Sequence, residues 1–290
     1  MPVVKYSEFD LKNLHFSEPV ENKTIPEITK YQLLSVPAYE VDGKDEMPTI
    51  QGPWMALDYY GIPAKNDRSG KPYLNAAGQP LSDQQRGKLK IPFNMDDADS
   101  KKLYDFLSAI DKKCVDERDA IFGDKKKANA YRYQAIVRKA VQNPDAPEDA
   151  EPRPDYFVLK FDFDNKSKLM KSKIFLNDDG ERTEAEVKTL DDAQKLLRYK
   201  CQFRPIMTIS KLYAARSAGG DGKRSYGLGL KIKMVEVKPM KQSSEETETF
   251  FIDSDVEEEV ERKQLVSETT KKGDDSKTET KGRKKASAVV

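Results

Sequence analysis

The stretch SYGLGLKIKMVEV (225–237) limits the fold more than any other part of the chain. Tyr226, Leu228, Leu230 and Ile232 fall on one parity, and Gly227, Gly229, Lys231 and Lys233 fall on the other. Successive side chains of a strand point to opposite faces, so one face is apolar and the other runs from bare backbone to lysine. The run before it, CQFRPIMTISKLYAA (201–215), has strand character, and RSAGGDGKRS (216–225) supplies a glycine-rich tip between the two. The chain must therefore accommodate a long hairpin with one buried face and one cationic face.

The remaining segments fit around that hairpin. Residues 1–95 read as strands and loops broken by Pro and Gly, with strands near 31–41, 47–59 and 86–93. Leu103, Phe106, Leu107, Ile110 and Cys114 recur at three- and four-residue spacing, which predicts an amphipathic helix capped by Asp99 or Ser100. KKKANAYRYQAIVRKAVQ (125–142) predicts a second, basic helix, making 99–142 a helical insertion. NPDAPEDAEPRPD (143–155) reads as an exposed, acidic, proline-rich loop. YFVLKFDF (156–163) and LMKSKIFL (169–176) predict a hairpin pair. A short strand near 183–188 follows, and Thr189 with Asp192 forms a capping box for a short helix. The pattern is a β-rich α+β domain over 1–240, followed by a disordered tail over 241–290.

Charge is nearly balanced overall, with Lys+Arg 51 against Asp+Glu 50, but it is segregated. Ten bases lie between 198 and 240, against the acids Asp221 and Glu236. Residues 243–261 hold nine acids and no base, and the chain beyond them is Lys-rich. The two cysteines, Cys114 and Cys201, are far apart, which suits a reducing intracellular compartment. No apolar run approaches the roughly 18 residues of a membrane span, so no membrane partner is expected.

This inventory narrows the chemistry. One histidine, His15, and two distant cysteines give no zinc set and no nucleophile–base pair, so neither metal nor cofactor is expected. Asp162 and Asp164 are spaced i, i+2 and so share a strand face, the one arrangement suggesting a metal-dependent nuclease; the plainer reading is a solvated strand face. Single-strand binding fits better, because it needs cations along a phosphate track and aromatic faces for bases. The expected interface comprises Lys200, Phe203, Arg204, Lys211, Tyr213, Arg216, Lys223, Arg224, Tyr226, Gly227, Gly229, Lys231 and Lys233. Tyr131, Arg132, Tyr133 and Arg138 of YRYQAIVR join it. The acidic segment EETETFFIDSDVEEE (245–259) mimics nucleic-acid charge, with Phe250 and Phe251 as anchors for docking replication partners.

Three pieces carry a family resemblance: IQGPWMALDYYGIP (50–63), LYDFLSAIDKKCVD (103–116), and the closing hairpin CQFRPIMTISKLYAA with SYGLGLKIKMVEV. Together they resemble the single-stranded-DNA-binding proteins of nucleocytoplasmic large DNA viruses, relatives of the poxvirus replication protein. The resemblance implies an elaborated OB-like β-barrel that coats DNA at replication, recombination and repair intermediates, self-associates there and has no enzymatic activity. It implies residence at viral replication sites in host cytoplasm or nucleus, with packaging in the virion. Similar proteins carry an acidic segment at the extreme C-terminus, whereas here Lys-rich sequence follows the acids. A structural component of a large-virus particle, a minor capsid or core protein, is the alternative reading.

Overall fold

The computed structural model describes residues 2–21, 30–59, 61–67, 69–75, 78–142, 151–164 and 166–238. The expected tail, with Phe250 and Phe251, lies outside the described residues, as do 143–150 of the acidic loop. In chain order the short N-terminal strands are β1 (Val4–Lys5), β2 (Leu14–His15), β3 (Gln32–Ser35), β4 (Ala38–Val41), β5 (Lys44–Glu46), β6 (Thr49–Gln51) and β7 (Met55–Ala56). Next come β8 (Lys88–Pro92), β9 (Tyr131–Gln134), β10 (Tyr156–Phe161), β11 (Lys173–Asp178) and β12 (Glu181–Glu184). The hairpin strands β13 (Gln202–Ala218) and β14 (Arg224–Val237) close the series.

That hairpin is the spine, and its two outer edges are paired by different rules. The edge of β13 takes β3, β6 and β7, all antiparallel. The edge of β14 takes β9, β10 and β11, all parallel. With β8 on β10, β1 on β6 and β12 on β11, an eleven-stranded mixed sheet results. Strands β2, β4 and β5 form a separate three-stranded sheet. The main path runs from β1 to β8, and these two end strands do not pair. The sheet is open, which corrects the expected OB-like barrel: closure needs the first and last strands to meet.

Two local expectations also change. β10 and β11 do not form a hairpin with each other; each pairs in parallel with β14, and the link between them contributes the Phe163–Met170 bridge. The second helix is confined to Lys125–Ala128, and YRYQ becomes β9. Here alternation wins over helical propensity, because Tyr131 and Tyr133 can both turn inward from a strand. The Asp111 carboxylate accepts the Tyr133 hydroxyl at 2.8 Å and the Ile136 and Val137 amides at 2.8 and 3.0 Å, which fixes the turn after β9. Burial nevertheless pushes the Asp111 carboxyl above its usual pKa.

The long helix Ala98–Asp116 covers the inner face of the sheet. Asp97, rather than Asp99 or Ser100, caps it by accepting the Ser100 amide at 2.9 Å, a contact worth about 1 kcal/mol. Leu103, Leu107, Ile110 and Cys114 are fully buried in the main core with Phe157, Leu159, Phe203, Met207, Ile209 and Ile232. The Tyr226 hydroxyl donates to the Cys114 carbonyl at 3.0 Å, tying helix to hairpin. Both cysteines are buried and free. At the other end the expected capping box of Thr189 and Asp192 forms on the short helix Leu190–Leu196.

Two β-bulges decide which side chains face out. On β13, Phe203, Pro205, Met207 and Ile209 are buried, so strict alternation would send Lys211 inward next. Ser210 is instead the extra residue between the Ile209–Leu230 and Lys211–Gly229 pairs, and its hydroxyl donates to the Gly229 carbonyl at 2.9 Å. Beyond it Leu212 and Ala214 are buried, while Lys211 and Tyr213 are only half-buried. On β14, Lys233 is the extra residue, and beyond it Val235 and Val237 take the inner positions. A bulge re-aims every following side chain, and here it turns a lysine out of the core.

Candidate nucleic-acid interface

The outer face of the hairpin is a succession of cross-strand pairs. From the tip end they are Tyr213 with Gly227, Lys211 with Gly229, Thr208 with Lys231, Ile206 with Met234, and Arg204 with Glu236. Beside β14, Lys160 of β10 registers with Lys231, and Lys88 of β8 registers with Lys160. Adjacent strands lie about 4.8 Å apart, so three lysines form a row across three strands. Arg138 reaches the same sheet through its backbone bridge to Tyr156.

These cations are poorly neutralised. Among the described residues, Lys88, Arg138, Lys160, Lys211 and Lys233 have no acidic partner within salt-bridge distance; Lys231 pairs with Asp162 at 2.5 Å. Burial pulls the Lys211 ammonium down to a pKa of about 8, with Lys160 and Lys231 adding to the effect. Lys160 is also lowered, first by desolvation and then by Lys88, Arg138 and Lys231. Desolvation is the larger cause and the neighbouring cations add to it, so an anion placed among these lysines would favour their charged forms.

The glycines play a different part from the one expected. A Cβ on Gly227 would stand 3.1 Å from the Tyr213 hydroxyl oxygen and 2.8 Å from the Gln134 carbonyl. One on Gly229 would stand 3.0 Å from Cγ of Lys211. The bare backbone is therefore occupied by the protein's own Tyr213 and Lys211, which lie across it. Strand β14 contributes room for these two side chains rather than an empty trough.

Several other expected contacts fall elsewhere. Phe203, Tyr226 and Tyr131 are buried in the cores, and Tyr133 is held by Asp111, so none of the four offers a face for stacking. Tyr131 stacks on Phe122 at 4.2 Å between ring centroids, and Tyr226 meets Phe122 edge-on. Arg204 is committed to Glu236 at 2.5 Å and lies over the Trp54 ring at 4.9 Å. Arg132 pairs with Asp221, and Arg216 with Glu21. Arg224 lies over Tyr131, and Lys223 sits in the hairpin tip. Lys200 stays in the loop before β13, its ammonium over the Tyr199 ring. The face that does assemble contains Arg138, Lys211, Tyr213, Gly227, Gly229, Lys231 and Lys233 from the expected set.

Lys88 and Lys160 were not expected there. Their signal was present, since GKLKIP and YFVLKF both alternate lysine with buried apolar residues. The sequence does not say that these two strands lie beside β14. The candidate nuclease pair is also absorbed: Asp162 holds Lys231, and Asp164 holds Lys171 at 2.9 Å while accepting the Lys166 and Ser167 amides. A cavity of about 210 Å³ opens beside them, lined by Met47, Thr208, Lys171, Lys231 and Lys233.

No family model matches the sequence. An uncharacterized protein of Acanthamoeba polyphaga mimivirus is 26% identical over 205 residues, covering 62% of this chain. The chain spans about half the length of that relative, 50% of it being matched. The similarity places a relative of this chain in a nucleocytoplasmic large DNA virus.

Proposed function

We propose that the chain binds single-stranded nucleic acid, without cutting it, along the outer face of the β13–β14 hairpin. The carrying observation is the cation row Lys88–Lys160–Lys231, with Lys211 and Arg138 beside it, on an open sheet face. Four of these five side chains lack an acidic partner among the described residues, and their mutual repulsion is relieved by a polyanion. An open sheet with one packed and one solvated face suits a strand laid across it better than a rigid duplex, whose charges lie on a cylinder. The resemblance in the sequence and a relative in a DNA virus favour single-stranded DNA at replication, recombination or repair intermediates.

Fluorescence anisotropy with labelled oligo-dT tests this reading. Log affinity is expected to fall with log salt at a slope of about −0.7 per phosphate contacted. The double variant Lys160→Glu/Lys211→Glu is expected to lose at least about tenfold in affinity and about 1.4 in slope, two contacts' worth. Equal affinity of the variant and the wild type, or equal affinity for duplex and single strand, overturns it.

A further inference from the structure

The aromatic residues expected to stack on bases are mostly core, which leaves the cation face without an obvious place for a base. The bulge at Lys233 supplies one. It turns Met234 outward opposite Ile206, and β11, parallel to β14, brings Phe175 to the same face. These three half-buried apolar side chains floor a cleft of about 110 Å³ on an otherwise charged surface. We propose that this cleft is a nucleobase slot, filled by one base of a strand whose phosphates continue over Lys233 and Lys231. The inference rests on the nucleic-acid reading and names where that reading puts a base.

The rim matches the edge of a base. Gln51 presents an amide that both donates and accepts, and Arg182 and Arg204 present guanidinium planes. Glu236 fixes both planes: it accepts from Arg182 at 2.7 Å and from Arg204 at 3.0 Å. Arg204 is further fixed against Trp54. The rim is therefore set before any ligand arrives. Size narrows the occupant, because the cleft is well below the roughly 300 Å³ at which drug-sized pockets begin and suits one flat ring system. Charge narrows it further. The pair next along the hairpin, Thr208 with Lys231, opens on a cavity lined by Asp162, Lys171, Lys231 and Lys233. Asp162 and Asp164 pair with Lys231 and Lys171, and Lys233 has no acidic partner among the described residues, so the ring should belong to a polyanion.

Trp54 is the only tryptophan and touches Arg204 of the rim, so its emission reports on the slot. Wild-type protein is titrated with oligo-dT and with an abasic deoxyribose-phosphate oligomer of equal length. Oligo-dT is expected to bind about fivefold tighter or more and to change Trp54 emission, which the abasic strand leaves unchanged. Phe175→Ala is expected to lose the preference while keeping the abasic affinity, and Phe175→Tyr to retain both. Equal binding of the two probes by the wild type, or a preference surviving in Phe175→Ala, overturns the slot and leaves the cation track standing. Binding of neither probe overturns the track and the slot together.

Discussion

On the inner face of the β13–β14 hairpin, Phe203, Met207, Ile209, Tyr226 and Ile232 are fully buried, and the one phenol among them has a hydrogen-bond partner. On the outer face, a few ångströms away through the same backbone, Lys211, Lys160 and Lys88 stand together with no acidic partner among the described residues. The inner face satisfies itself, whereas the outer face keeps cations close enough to lower one another's pKa. Stability should therefore come from one face and be reduced by the other, as at many binding sites, where residues kept for function cost some stability.

The sharpest way to break this comparison is to move the phase that the bulge sets. One alanine inserted between Lys211 and Leu212 should send the fully buried Leu212 and Ala214 to the outer face and turn Tyr213 inward. The expected result is loss of cooperative folding, a destabilisation of about 5 kcal/mol or more, read by urea denaturation. Wild-type stability in the insertion variant would mean that strand phase does not hold these residues in the core.

Single substitutions on the two faces should move stability in opposite directions. Phe203→Ala leaves a cavity among fully buried neighbours and is expected to cost about 3–5 kcal/mol. Lys211→Met is expected to raise stability by about 1 kcal/mol while weakening oligonucleotide binding. Paired denaturation and anisotropy curves check both signs. A destabilising Lys211→Met would show that the lysine packs more than it repels.

Proton linkage gives a finer test. Because the folded-state pKa of Lys211, about 8, lies below that of an unfolded lysine near 10.5, the unfolded chain binds more protons between those values. The contribution of this group to stability is thus complete above about pH 10.5 and is lost as pH falls toward about 8. Binding runs the other way. Phosphate favours the charged lysine, so affinity should fall as pH rises past about 8, by at most about tenfold per unit. Lys211→Arg, charged throughout, should flatten the affinity profile, and an unaltered profile would remove Lys211 from the site. The smallest expected effect belongs to Asp162→Asn. Freeing Lys231 from a half-exposed ion pair should strengthen oligonucleotide binding no more than about fivefold.

Much of this layout was legible along the chain. The hairpin, the helix bearing Leu103, Leu107, Ile110 and Cys114, the capping box at Thr189 and the short N-terminal strands all follow from local periodicity and turn chemistry. Less was legible about the site. The parity of Tyr226 to Ile232 was readable, but counting bases over 198–240 gathered residues that the strands then send to both faces and to both ends. Arg204, Arg216 and Arg132 are cancelled by acids distant in sequence, Glu236, Glu21 and Asp221, and no count along the chain reveals such pairs.

What the sequence determined by itself is periodicity: which segments become strand or helix, and that one hairpin has an apolar face and a cationic one. Tertiary structure alone decided that the sheet stays open, that Lys88 and Lys160 stand beside Lys231, and that Lys211 points outward. The physical reason is range. Alternation and capping are fixed by atoms a few residues apart, whereas strand neighbours, bulge positions and ion pairs are chosen by competition for burial and hydrogen bonds among segments far apart along the chain.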